Sequence, residues 1–190
     1  MNKPFNDDPV EMLVKKRLTH NGTVLDVRLK YIGDAGLEYL TQAEELADLE
    51  ELNLERNNIT DKGIRLLADS RVIARLKVLI LQRNDIGDEG VGRLARSPNA
   101  SRLKHLDLWK NKVGPAGAKA LAESIQLVNL TRLDLAQNQI GDEGALALAQ
   151  SPVLSHLEYL DLFDNELTEE GKQAIRESEN FRNIANLILE

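Results

Sequence analysis

The chain has no cysteine. Disulfides, thiolate metal sites and cysteine nucleophiles are therefore excluded, and packing and hydrogen bonds must hold the fold together. Aromatic residues are scarce, with one tryptophan, three phenylalanines and three tyrosines in 190 residues. Where each one falls therefore carries weight. Positive charge is also in deficit. The net charge is −7, which disfavours a nucleic-acid polyanion as partner. No apolar run approaches the roughly 20 residues of a membrane span, so no membrane partner is expected. The polar stretch Met1 to Pro9 lacks the basic-then-apolar layout of a signal peptide. These absences point to a soluble, cytoplasmic protein.

What is present is periodicity. The hydrophobic share of 42% suffices for one domain with a real core, and it is distributed at a fixed interval. Leu49, Leu76, Leu103, Leu130 and Leu157 stand 27 residues apart. Leu52, Leu79, Leu106, Leu133 and Leu160 repeat at the same interval, as do Leu54, Leu81, Leu108, Leu135 and Leu162. A column of asparagines follows: Asn57, Asn84, Asn111, Asn138 and Asn165. Further on comes a glycine column, Gly36, Gly63, Gly90, Gly117, Gly144 and Gly171.

Each column has a physical reading. Alternating leucines predict a short strand with one buried face. The asparagine sits where the chain turns, and its amide can satisfy backbone groups of its own and adjacent units, forming a structural ladder. Lys30 holds that place in the first unit, as expected of a partial cap. Thr60 and Thr168, with Asp34, Asp61, Asp88 and Asp142, offer N-terminal capping groups for the helices. The glycines are expected to let each helix approach the strand layer closely.

The spacing L-x-x-L-x-L-x-x-N-x-I, followed by a glycine-led helical segment, resembles the leucine-rich repeat, in its ribonuclease-inhibitor-like class. The resemblance covers residues 22–183 as six units, with 184–190 opening a seventh strand. It implies an α/β solenoid, a horseshoe with a parallel concave β-sheet and convex α-helices. Residues 1–21 fall outside the register. Val10, Leu13, Val14 and Leu18 lie at helical spacing, and the segment reads as an N-terminal capping helix over the end of the core. At the other end the strand edge is open, and a second copy could pair there to form a homodimer.

In a solenoid of this kind the residues between the leucines face outward on the concave side. One row reads Val24, Glu51, Val78, His105, Arg132, Tyr159; the next reads Asp26, Asn53, Ile80, Asp107, Asp134, Asp161; a third reads Arg28, Glu55, Gln82, Trp109, Ala136, Phe163. Trp109, Phe163 and Tyr159 thus share one open face, with His105 and Ile80 nearby. Exposed aromatics in the middle of a surface are typical interface anchors; the alternative is that Trp109 folds onto the turn beneath and covers backbone. Asp107, Asp134 and Asp161 stack on successive strands. They read either as a solvated structural ladder or, with Arg132, as charges tuned to a partner.

Signals for an enzyme are missing. There is no glycine-rich phosphate loop, no nucleophile elbow, and His20, His105 and His156 have no ligand partners at metal spacing. The expectation is a protein-binding module without catalytic activity, cofactor or metal. Two alternatives follow from the resemblance: a GTPase-activating accessory protein, or a structural piece of a longer repeat array. The uniform period and absent cysteines also suit a bacterial effector, whose delivery to a host cell would leave no trace in these residues.

Overall fold

The computed structural model describes residues 8–190; the first seven residues of the expected N-terminal cap lie outside the described residues. From β2 onward the units follow one plan: a three-residue strand, a turn, a helix, and a return to the next strand. The strands are β1 (Leu18–Thr19), β2 (Val24–Asp26), β3 (Glu51–Asn53), β4 (Val78–Ile80), β5 (His105–Asp107), β6 (Arg132–Asp134), β7 (Tyr159–Asp161) and β8 (Asn186–Ile188). They form a single sheet in chain order. From β2 to β8 all neighbours are parallel, and Leu25, Leu52, Leu79, Leu106, Leu133, Leu160 and Leu187 stand in one register. The helices are α1 (Val10–Arg17), α2 (Gly33–Gln42), α3 (Asp61–Asp69), α4 (Asp88–Ala95), α5 (Pro115–Ala122), α6 (Gly141–Ala149) and α7 (Glu169–Arg176). One contiguous leucine-rich core fills the space between sheet and helices. Leu13 and Val14 of α1 are buried in that core.

Two expectations need correction. The sequence pattern carries the N-terminal helix through Leu18, but α1 ends at Arg17. Leu18 and Thr19 instead run antiparallel to β2, with Leu18 opposite Leu25. Asn21 and Gly22, both at positive φ, allow this reversal, and the short strand covers an edge that would otherwise be open.

The second correction concerns the glycine and aspartate columns. The hydrogen bonds these aspartates accept come from the next unit, not from their own helices. Asp61 Oδ1 accepts from the Gly87 N–H at 2.6 Å, and Asp88 Oδ1 accepts from the N–H groups of Gly114 and Gly117. Asp34 and Asp142 each bind both the backbone N–H and the hydroxyl of a threonine, Thr60 and Thr168. Those threonines in turn cap α3 and α7. Four of the six column glycines make room for these carboxylates, while Gly36 and Gly144 face apolar neighbours such as Ile32 and Ile140. A Cβ on Gly63, Gly90, Gly117 or Gly171 would stand 2.1–2.6 Å from the preceding unit's aspartate oxygen.

The asparagines are buried and satisfied in a repeated way. Asn111 donates through Nδ2 to the carbonyls of Leu81 and Leu108 and accepts at Oδ1 from Ile86 N–H. Asn84 and Asn138 repeat the pattern, and Asn165 does so with the Phe163 carbonyl as its own-unit acceptor. Asn57 serves the first unit, accepting from Ile32 N–H and donating to the Val27 carbonyl. A serine column, unread in the sequence, does similar work at the helix C-termini. Ser97, Ser124, Ser151 and Ser178 donate to the carbonyls of Ala68, Ala95, Ala122 and Ala149 in the preceding units.

Candidate concave binding face

The strands are short because each serves only to place one leucine inward and its two neighbours outward. Immediately after each strand the chain turns through a residue in the left-handed region: Leu29, Arg56, Arg83, Lys110, Gln137 and Asp164. The outward aspartates prepare that turn. Oδ1 of Asp107, Asp134 and Asp161 accepts from the N–H two residues on, at Trp109, Ala136 and Phe163, and Asp26 and Asn53 do the same for Arg28 and Glu55. This is an Asx-type turn. It gives the aspartate column a structural role.

The three carboxylates are not equivalent, as a solvated row would be. Asp107 is only 5% exposed, and Gln82 on the neighbouring strand end donates to its Oδ2 at 2.5 Å. Asp161 accepts from the Tyr159 hydroxyl at 3.1 Å. Asp134 lies between them, half-buried, and has no such side-chain donor among the described residues. Its carboxyl is pushed up to about 6, by burial first and then by the charges of Asp107 and Asp161. Burial likewise lowers the basicity of His105, and the charge of Arg132 adds to the effect. His105 Nε2 is buried without a hydrogen-bond partner among the described residues. Ile80, half-buried, stands in the same row as Asp107.

The aromatic rings are held by guanidinium groups. Arg83 lies over Trp109 at 4.6 Å from the ring centroid, and Arg132 lies over Tyr159 at 3.7 Å. Trp109 is thereby half-buried, while Phe163 is 44% exposed. Ala136 stands between Trp109 and Phe163 in the row. The hydrogen bonds of Lys110 N–H to the Ala136 carbonyl and of Gln137 N–H to the Phe163 carbonyl fix this alignment. A small residue between two large ones leaves room in an open concavity of about 520 Å³, lined by Trp109, Ala136, Phe163, Asp134 and Asp161 and running on to Gln82 and Glu190. The row is visible in the sequence, and an alanine between aromatics was the signal for the slot. The arginine stacks and the Gln82–Asp107 bond were not legible, because they depend on rotamers across neighbouring units.

A second concavity, of about 560 Å³, lies on the helical side. Ile125, 77% exposed, and Leu146 line it.

The repeated unit matches the model of the leucine-rich repeat at residues 46–68, 76–95, 101–122, 126–149 and 153–175, more than half of the chain. The chain belongs to the leucine-rich repeat family. Two solved structures share the fold. An internalin from Listeria monocytogenes is 22% identical over 79% of this chain, with a TM-score of 0.57. The C-terminal domain of tropomodulin from Caenorhabditis elegans is 16% identical over 76% of this chain and 90% of its own, with a TM-score of 0.55. The leucine-rich repeat chain spans 37% of the internalin's length. At these identities the likeness concerns the fold alone. No curated protein sequence matches the chain. Leucine-rich repeats are in general protein-interaction modules. Among the described residues no helix is long and apolar enough to cross a membrane.

Proposed function

We propose that this leucine-rich repeat chain binds a protein partner on the C-terminal half of its concave sheet, in the cytoplasm, and performs no reaction of its own. Trp109, Phe163 and Tyr159 are the anchors, Ile80 and His105 extend the surface, and Arg132, Asp107, Asp134 and Asp161 set its charge. One observation carries the reading. Three of the seven aromatics in the chain converge on this one open face, where their rings are not needed to fill the core. Large rings at the centre of a concave surface contribute disproportionately to binding.

Affinity capture from lysate with the wild-type chain and a Trp109→Ala, Phe163→Ala double variant tests it, with bound proteins identified by mass spectrometry. A partner held by the wild type should be weakened at least about 30-fold by the equally folded double variant, the loss expected for two anchors. Retention of the same protein by both would place the contact elsewhere, with the Ile125–Leu146 concavity the first surface to examine.

A further inference from the structure

The slot between Trp109 and Phe163 has more chemistry than an apolar anchor site requires. Two aromatic walls stand on alternate strand positions, with Ala136 as the small residue between them. Their backbones are about 10 Å apart, twice the strand spacing. That separation leaves room for one flat group in van der Waals contact, at about 3.5–4 Å, with a side chain on each side. Three carboxylates line the slot, from Asp134, Asp161 and Glu190. Glu190 is paired with Arg176 at 2.7 Å. Asp134 and Asp161 are in no ion pair among the described residues, and no lysine or arginine lines the slot.

The flat cation that satisfies both features is a guanidinium. It stacks on aromatic faces and offers a fork of N–H donors to carboxylate oxygens, whereas an ammonium is a compact, strongly hydrated point charge. The same face already holds two of its own guanidinium groups over aromatic rings, Arg83 on Trp109 and Arg132 on Tyr159. We infer that the slot receives an arginine side chain of the protein partner, stacked between Trp109 and Phe163 and hydrogen-bonded to Asp134 and Asp161. This inference rests on the concave-face reading above and specifies the partner's chemistry there.

Trp109 is the one tryptophan of the chain, so its fluorescence reports on the slot directly. The probe is the blocked tripeptide acetyl-Gly-Arg-Gly-amide, compared at equal ionic strength with its citrulline and lysine counterparts. Citrulline keeps the shape and removes the charge. The arginine peptide should shift the Trp109 emission saturably, the lysine peptide should need at least about five times the concentration, and the citrulline peptide should not saturate. Phe163→Leu should weaken the arginine peptide several-fold. Ala136→Leu, which fills the slot, should abolish saturation while far-ultraviolet circular dichroism stays that of the wild type. Equal responses to arginine and citrulline would overturn the inference. So would saturation retained in both variants. The two readings fail separately. A captured partner lost from the Trp109→Ala, Phe163→Ala variant but kept by Ala136→Leu leaves the concave face in place and removes the arginine. A partner kept by the double variant removes the concave face.

Discussion

At the scale of single residues, the outward position of each strand is a compromise between turn formation and charge. Asp134 gains a turn hydrogen bond from Ala136 N–H but stands half-buried between two other carboxylates. Its folded carboxyl titrates near 6 and the ordinary aspartate value is 3.8. The native state therefore holds an extra proton only between those values. The stability this confers is fully present below 3.8 and lost as the pH rises through 6, so the ionised form destabilises the fold at neutral pH. Asp134→Asn keeps the Oδ1 acceptor and removes the charge. It should raise stability at pH 7.5 by about 1 kcal/mol, discounted for partial exposure, and change little at pH 3.5. Urea midpoints at the two pH values check this, and equal midpoints at pH 7.5 would contradict it. That an aspartate recurs here is plain in the sequence. Its burial is not, because Gln82 and the neighbouring strands decide how much water reaches each carboxylate.

At the scale of the element, successive helix N-termini are joined where an aspartate of one unit reaches the first donors of the next, as Asp61 does at Gly87 and Asp88 at Gly114 and Gly117. A first-turn aspartate ordinarily serves its own helix dipole; here the carboxylate also satisfies the N-terminal donors of the following unit. The arrangement makes a coupled prediction. Gly90→Ala would place a methyl 2.5 Å from Asp61 Oδ1 and 3.0 Å from Asp61 Cα, at a cost of about 1–3 kcal/mol. In an Asp61→Ala background the same change should cost less. The difference, of about 0.5–3 kcal/mol, is the coupling between neighbours. Additive urea midpoints across the four proteins would show that the glycine serves another contact. The glycine column is legible in one dimension, but its reason is not. A residue 29 positions earlier in the chain occupies the space, and only the stacking of units brings the two together.

At the scale of the molecule, each unit leans on its neighbours through the asparagine ladder, the serine ladder and a continuous core. Asn111 sits in the middle of that stack and bonds to carbonyls of two units. Asn111→Ala should lower stability by about 1–3 kcal/mol through buried groups left unpaired. Because the core is continuous, it should do so within one cooperative transition. Trp109 fluorescence and helical circular dichroism should then give coincident urea curves for both proteins. Separate midpoints would mean that the two halves of the solenoid unfold independently.

The sequence by itself determined the period, the inward leucines, the turn asparagines and the row of residues that face the concave side. These follow from local geometry, since strand alternation and a constant repeat length leave each side chain one place to point. The tertiary structure alone decided which aspartate is covered, which rings are stacked by arginines, why most of the column's glycines are glycines, and that Trp109, Ala136 and Phe163 line one open slot. Each of those depends on contacts between residues 25 or more positions apart, whose distance is set by how closely one unit stacks on the next.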